Sequence, residues 1–238
     1  MTWSIVCRER DSGRIAIAVA TRFFAVGARV PYILSRKGAV ATQALLNPLY
    51  GPDGLQLIRD GVGAADVVRL LTSRDPGQSH RQLHVLGADG RFAAHTGADC
   101  VPWCGHWVGD DFSVAGNMLA GPQVVSETVR VMRERADLDL PHRLIAALKA
   151  GEVVGGDKRG KQSAALVIYG DDEASELDLR VDDHADPLRE LSRLEAVSRE
   201  HWTTFRSFLA TRQSPAGTFD RAVINAAIEK ATTAKAAE

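Results

Sequence analysis

The densest run of reactive residue types in this chain is Gly155-Gly156-Asp157-Lys158-Arg159-Gly160-Lys161-Gln162-Ser163. Glycines let the backbone turn sharply, so successive N–H groups can converge on an anion, and Lys158 and Arg159 add positive charge. That chemistry suits a substrate carboxylate or amide. The run is not a nucleotide phosphate loop, because its order differs and no strand-to-helix frame surrounds it. A second account stays open, in which Asp157 and Arg159 pair to hold a tight loop. Cys100, Cys104 and His106, with His95 nearby, form another cluster whose C-x3-C-x-H spacing invites a zinc reading. A structural zinc site uses four regularly spaced thiolate or imidazole ligands, so this irregular set points to buried or idle thiols, and neither metal nor cofactor is expected. His80, His84, His142, His184 and His201 are scattered and suggest no triad.

These residues have to be positioned by strands and helices that the hydropathy pattern outlines. Residues 2 to 21 read as an antiparallel hairpin: Trp3, Ile5 and Cys7 alternate with Thr2, Ser4 and Val6, a turn follows at Asp11-Ser12-Gly13, and Arg14 to Ala20 runs back. Gly38 to Thr42 is a third strand. Between Gly51 and Arg74 the period changes to three and four residues, which fits two short helices. Leu83 to Leu86 and Phe92 to His95 form another hairpin, with further strands at 105 to 108 and 112 to 116. Helices are expected after Pro122 and from Leu140 to Gly151, then strands at 164 to 169 and 177 to 181. From Asp186 to about residue 211 a long amphipathic docking helix is expected, and residues 226 to 238 read as a fraying tail. Blocks of strands and helices in this order give an α+β protein of antiparallel sheets, since strict βαβ alternation is missing.

Composition bounds the partners. The chain has 238 residues, of which 45% are hydrophobic and 25% charged, which is enough for a substantial core in one or two domains. With 29 basic and 30 acidic residues the net charge is -1, so no field attracts nucleic acid or an anionic membrane. Three cysteines, no leader-like apolar core before Arg8, and no run of about 18 apolar residues lead to the expectation of a cytoplasmic protein without a membrane anchor.

Several stretches resemble the domain-of-unknown-function 1028 family: Thr2-Trp3-Ser4-Ile5-Val6, Phe24-Ala25-Val26-Gly27, Gly38 to Gln43, His80-Arg81-Gln82, His95-Thr96-Gly97, Gly116-Asn117-Met118-Leu119 and Gly155 to Leu166. They span residues 2 to 170 in matching order. The resemblance implies a fold similar to the N-terminal nucleophile hydrolases, a four-layer αββα sandwich of two antiparallel sheets between helices, here at 1–183 with a helical extension at 184–238. It implies no known substrate.

What the resemblance further implies is a nucleophile at the start of the mature chain. Thr2 qualifies once Met1 is removed, because an α-amine with a pKa of about 7.7–8.0 can take the proton that a threonine hydroxyl must lose. Ser4 lies on the same strand face and is the alternative hydroxyl, although a polar residue on the outer side of a strand accounts for it more simply. Asn117 is the candidate donor to an oxyanion, or else a cap or turn residue. Arg22, beside Thr21, suits a substrate carboxylate because its fork binds in two-pronged fashion. Gln43, Asn47, Asp157, Lys158 and Arg159 complete the expected substrate contacts, and Lys37 is where a lysine lowering the nucleophile's pKa would be sought. The function this implies is hydrolysis of a small amide or cyclic amide. The alternatives are a non-catalytic metabolite-binding protein, or an assembly role in which the C-terminal helix forms a homodimer.

Overall fold

A computed structural model describes residues 2–235. Residues 236–238 of the expected tail lie outside the described residues, and so does Met1. Among the described residues two antiparallel sheets form. The first unit, Met1–Leu191 by its bounds, contains both. Its larger sheet has the strand order β10-β9-β2-β1-β8-β7. Those strands are β1 (Thr2–Arg8), β2 (Ile15–Thr21), β7 (Gly105–Val108), β8 (Phe112–Asn117), β9 (Ser163–Tyr169) and β10 (Leu177–Val181). The smaller sheet runs β3-β4-β5-β6, made of β3 (Pro31–Leu34), β4 (Gly38–Ala44), β5 (Arg81–Leu86) and β6 (Phe92–Thr96). Helices α1 (Tyr50–Arg59) and α2 (Ala64–Ser73) cover the outer face of the smaller sheet, and α3 (Gln123–Glu134) and α4 (Leu140–Val153) that of the larger one. The chain is therefore an α+β protein of two antiparallel sheets packed face to face between helices.

The alternation in β2 explains the layering. Ile15, Ile17 and Val19 meet Ala39, Ala41 and Leu86 of the opposite sheet, while Ala16, Ala18 and Ala20 form the other face, where small side chains let α4 approach. On that face Trp3 packs against Gly151 of α4. A Cβ at Gly151 would lie 3.0 Å from Trp3 Nε1 and 2.7 Å from Thr128 Oγ1, so only glycine fits. The first hairpin closes through Gly13, at φ +69, a left-handed conformation that glycine adopts without strain. Its N–H donates to the Glu9 carbonyl at 2.8 Å.

Three sequence expectations change. Strand β3 was not foreseen, because Pro31-Tyr32-Ile33-Leu34 is a half-buried edge with no alternation to show. The expected helix from 186 to 211 stops earlier: α5 (Pro187–Glu200) ends before His201, at φ −135, and a short α6 (Trp202–Phe205) follows. Residues 226–235 are not an unstructured tail, since they belong to α7 (Arg221–Lys235). The second unit, Ser192–Glu238 by its bounds, holds the rest of α5 together with α6 and α7. None of the described helices is long and apolar enough to cross a membrane.

Candidate functional site

At one end of the larger sheet the strand register lines up polar residues across neighbouring strands. Ser163 stands opposite Thr21, Thr21 opposite Thr2, and Thr2 opposite Asn117. All belong to the phase that faces the other sheet, and all are buried, Thr2 being the most open at 7%. Thr2 Oγ1 lies 3.2 Å from Thr21 Oγ1. Ser163 Oγ donates to the Phe23 carbonyl and accepts the Val26 N–H at 3.2 Å, which ties the loop after β2 to the row.

Two residues further along β1, Ser4 opens a buried chain of hydrogen bonds whose direction backbone carbonyls set, that of Gly116 and, at 3.1 Å from the same Gln82 nitrogen, that of Gly105. The Gly116 carbonyl can only accept, so the group 2.8 Å from it is the Gln82 amide nitrogen. Gln82 Oε1 therefore faces the opposite way and accepts from Gln43 Nε2 at 2.8 Å and Asn117 Nδ2 at 3.0 Å. Gln43 Oε1 is then left to accept the Ser4 hydroxyl proton at 2.7 Å. With its proton committed, Ser4 Oγ can only accept from His84 Nε2 at 2.8 Å, and His84 Nδ1 accepts from Ser113 Oγ at 2.8 Å. Burial first, and then the charge of His106, push the His84 pKa down to about 3, consistent with a neutral ring. The account of Ser4 as a strand-exterior residue fails: Ser4 is 0% exposed and faces the opposing sheet.

Asn117 ends β8 and lines a cavity of 290 Å³ together with Ala44, Leu45, Cys100, Val101 and Met118. His80 and Asp99 stand at the same cavity, 3.8 Å apart. Two of its residues have left-handed backbones without being glycine, Ala44 at φ 69 and Met118 at φ 53. Such conformations cost on the order of 1–3 kcal/mol each, and packing must hold them. Part of that holding is visible, since the Met118 N–H donates to the Val101 carbonyl at 2.9 Å. Burial raises the thiol pKa of Cys100 and of Cys104, so neither is an activated nucleophile. Among the described residues no cluster of three or more His, Cys, Asp or Glu could hold a metal ion.

The glycine-rich turn sits beside this end of the sheet. Leu119 bridges to Asp157, and the Asp157 carboxylate is taken up by the chain itself: it accepts the Arg22 N–H at 2.8 Å, the Arg159 N–H at 2.9 Å and the Arg159 guanidinium at 3.3 Å. Asp157 thereby fastens the end of β2 to the turn, which is the holding account left open for it. Lys158 Nζ donates to the Pro102 carbonyl at 2.9 Å, and Arg22 Nη1 to the Lys161 carbonyl at 3.3 Å.

Of the residues singled out in the sequence, Thr2, Thr21 and Asn117 form the row, Gln43 lies one layer across, and Arg22, Asp157, Lys158 and Arg159 flank it. Asn47 does not join them. Its Nδ2 donates to Asp75 at 3.1 Å, and it lines a separate cavity of 370 Å³ with Tyr50 and Asp75. Hydrogen bonds from Arg81 above all, then from Asn47, hold the Asp75 carboxyl well below the usual carboxylate range. Lys37 precedes β4 at the end remote from Gln43, which puts it about 20 Å from the row along the strand. Sequence reasoning missed Gln82, His84 and Ser113. Their signal was present, because each is a polar residue in the inward phase of a strand.

Two antiparallel sheets between helical layers, with a polar row at the end of the central strands, define the architecture. The chain belongs to the family described as "Family of unknown function (DUF1028)", which matches residues 2–191. A crystal structure of protein SPO2555 from Silicibacter pomeroyi, also of DUF1028, is 28% identical with a TM-score of 0.84, covering 92% of this chain and 96% of that one. Anbu, the ancestral beta-subunit from Yersinia bercovieri, is a distant likeness at 12% identity and a TM-score of 0.40, covering 82% of this chain and 94% of the other. No curated protein matches this chain.

Proposed function

We propose that this chain hydrolyses a small amide or cyclic amide with Thr2 as nucleophile. The observation that carries the reading is the register that sets Thr2 directly opposite Asn117, a residue that lines the 290 Å³ cavity. Cross-strand partners hold their Cβ atoms about 4.5–5.5 Å apart, so a carbonyl at Thr2 Oγ1 has its oxygen within reach of the Asn117 amide. Asn117 gives one N–H to Gln82 Oε1, which fixes the amide plane and leaves the second N–H to donate to a developing oxyanion.

The reaction then runs as follows. Removal of the residue ahead of Thr2 frees its α-amine. That amine takes the proton of Oγ1 as the hydroxyl oxygen bonds to the carbonyl carbon. The tetrahedral oxyanion is held by Asn117. Collapse breaks the C–N bond, and the ammonium returns the proton to the leaving amine, giving an ester on Thr2. Water, deprotonated by the same amine, hydrolyses that ester and restores the hydroxyl. The bond between Thr2 and Thr21 keeps Oγ1 in place.

Two measurements test the reading. Intact mass and N-terminal sequencing of protein purified from its own host show whether Thr2 carries a free amine. A β-lactone probe then reports reactivity: the expected result is one acyl group, mapped to Thr2 and absent from Thr2→Ala. A blocked Thr2 nitrogen, or acylation that survives in Thr2→Ala, overturns it.

A further inference from the structure

We propose that the amide carries a carboxylate on one side of its scissile bond and a short apolar group on the other. This rests on the hydrolase reading above and deepens it. The charges beside the row support the carboxylate. Asp157 pairs with Arg159 at 3.3 Å, Glu152 (through Oε2) and Asp186 pair with Lys161 at 3.3 and 3.2 Å, and Asp183 accepts the Gln162 amide at 3.0 Å. Arg22 and Lys158 are different. Among the described residues neither side chain has a carboxylate partner, and each is steadied by a backbone carbonyl, of Lys161 and Pro102 respectively, that uses only part of its donor capacity. Arg22 directly follows Thr21 of the row, and the Asp157 carboxylate pins its backbone. Two exposed cations held by neutral acceptors, each in a segment bordering the polar row, would meet a substrate carboxylate.

The apolar group has its place on the other flank of Asn117. Leu45, Val101 and Met118 form the wall of the 290 Å³ cavity, at the small end of the roughly 300–1,000 Å³ typical of ligand pockets, which limits the group to a short chain. The two subsites are linked through the chain. Lys158 Nζ sits on Pro102, one residue from Val101, and its N–H is 3.5 Å from the Met118 carbonyl. Asn117, which stands opposite Thr2, also lines the cavity, so the apolar subsite adjoins the residue assigned to the oxyanion.

Competition against β-lactone acylation of Thr2 in the processed full-length chain tests this. The competitors are N-butyrylglycine, N-butylsuccinamic acid and the neutral N-butyrylglycinamide, so that the carboxylate lies on the amine side, on the acyl side, or nowhere. Expected is protection by at least one acid at about 10-fold lower concentration than the neutral amide, as suits a charge-assisted contact. That advantage falls towards unity in the Arg22→Gln/Lys158→Gln double variant and shrinks in 0.5 M salt. Equal protection by all three while the lactone still acylates Thr2 overturns the carboxylate subsite and leaves the hydrolase reading standing. If the lactone never acylates Thr2, the hydrolase reading fails. Ligand-observed NMR on the same compounds then decides the subsite alone: carboxylate-dependent binding that the double variant loses upholds it, and binding indifferent to the carboxylate rejects it.

Discussion

Thr2 and Ser4 sit two residues apart on the same face of β1, yet their surroundings could hardly differ more. Ser4 has an imidazole nitrogen at 2.8 Å, the spacing of a nucleophile and its base, while the nearest side-chain partner of Thr2 is another hydroxyl at 3.2 Å. By distance alone Ser4 is the better nucleophile. Polarity and access reverse the order. The Ser4 proton goes to Gln43, the facing His84 nitrogen carries a hydrogen rather than a lone pair, and no surface reaches either. Thr2 lies at the end of the layer, opposite a residue that lines a cavity, and brings its own base once its nitrogen is free. A base at hydrogen-bonding distance activates a hydroxyl only when its lone pair faces the proton.

The contrast predicts opposite phenotypes. Thr2→Ala removes the reacting group and should abolish β-lactone acylation, a fall of ~10³-fold or more in rate, with the unfolding midpoint nearly unchanged. A label that persists breaks the comparison outright. Asn117→Ala should lower the acylation rate on the order of 10²–10³-fold, as expected for deletion of an oxyanion donor. Ser4→Ala should do the reverse, leaving Gln43 Oε1 and the His84 N–H without partners and costing about 1–3 kcal/mol for each stranded group by urea denaturation, while Thr2 still reacts. Loss of acylation in a folded Ser4→Ala protein would mean that Ser4 carries the chemistry.

The smallest effect is a pH dependence. The folded pKa of His84, about 3, lies below its ordinary 6.5, so the unfolded chain binds the extra proton between those values. The stability contribution is complete above about pH 6.5 and declines as pH falls towards 3, by about 1.4 kcal/mol per pH unit for one proton. Urea midpoints at pH 7 and pH 5 measure the slope, and His84→Gln should flatten it.

Much of this was legible in the sequence because strands announce themselves by alternation and helices by a longer period. The hairpins around Gly13 and Gly90, the paired helices on each side and the returning strands at 163–181 all follow from that rule. The half-buried edge strand Pro31–Leu34 does not, since it has no contrast between its two faces. At the candidate site, Thr2 and Asn117 entered through the family resemblance, and Arg22 and the 155–163 run through their residue types; the fold brings them to one end of the larger sheet. Gln82 and Ser113 were missed because their significance lies in partners on the opposite sheet, Asn117 for Gln82 and His84 for Ser113, and alternation does not report pairing between sheets. His84 was judged one of several scattered histidines for the same reason. Asn47 was misplaced because the loop after β4 turns away towards Asp75 instead of continuing along the layer.

The Gly116 carbonyl has one further effect on this molecule's history. Because immovable backbone acceptors, the carbonyls of Gly116 and Gly105, orient Gln82, and Gln82 orients everything behind it as far as Ser113, exchanging one of these side chains in isolation leaves a neighbour without its matching partner. Double substitutions at Gln82 and Ser113, which do not touch, should therefore show non-additive losses, and evolutionary drift in this layer should proceed by concerted replacement rather than one residue at a time.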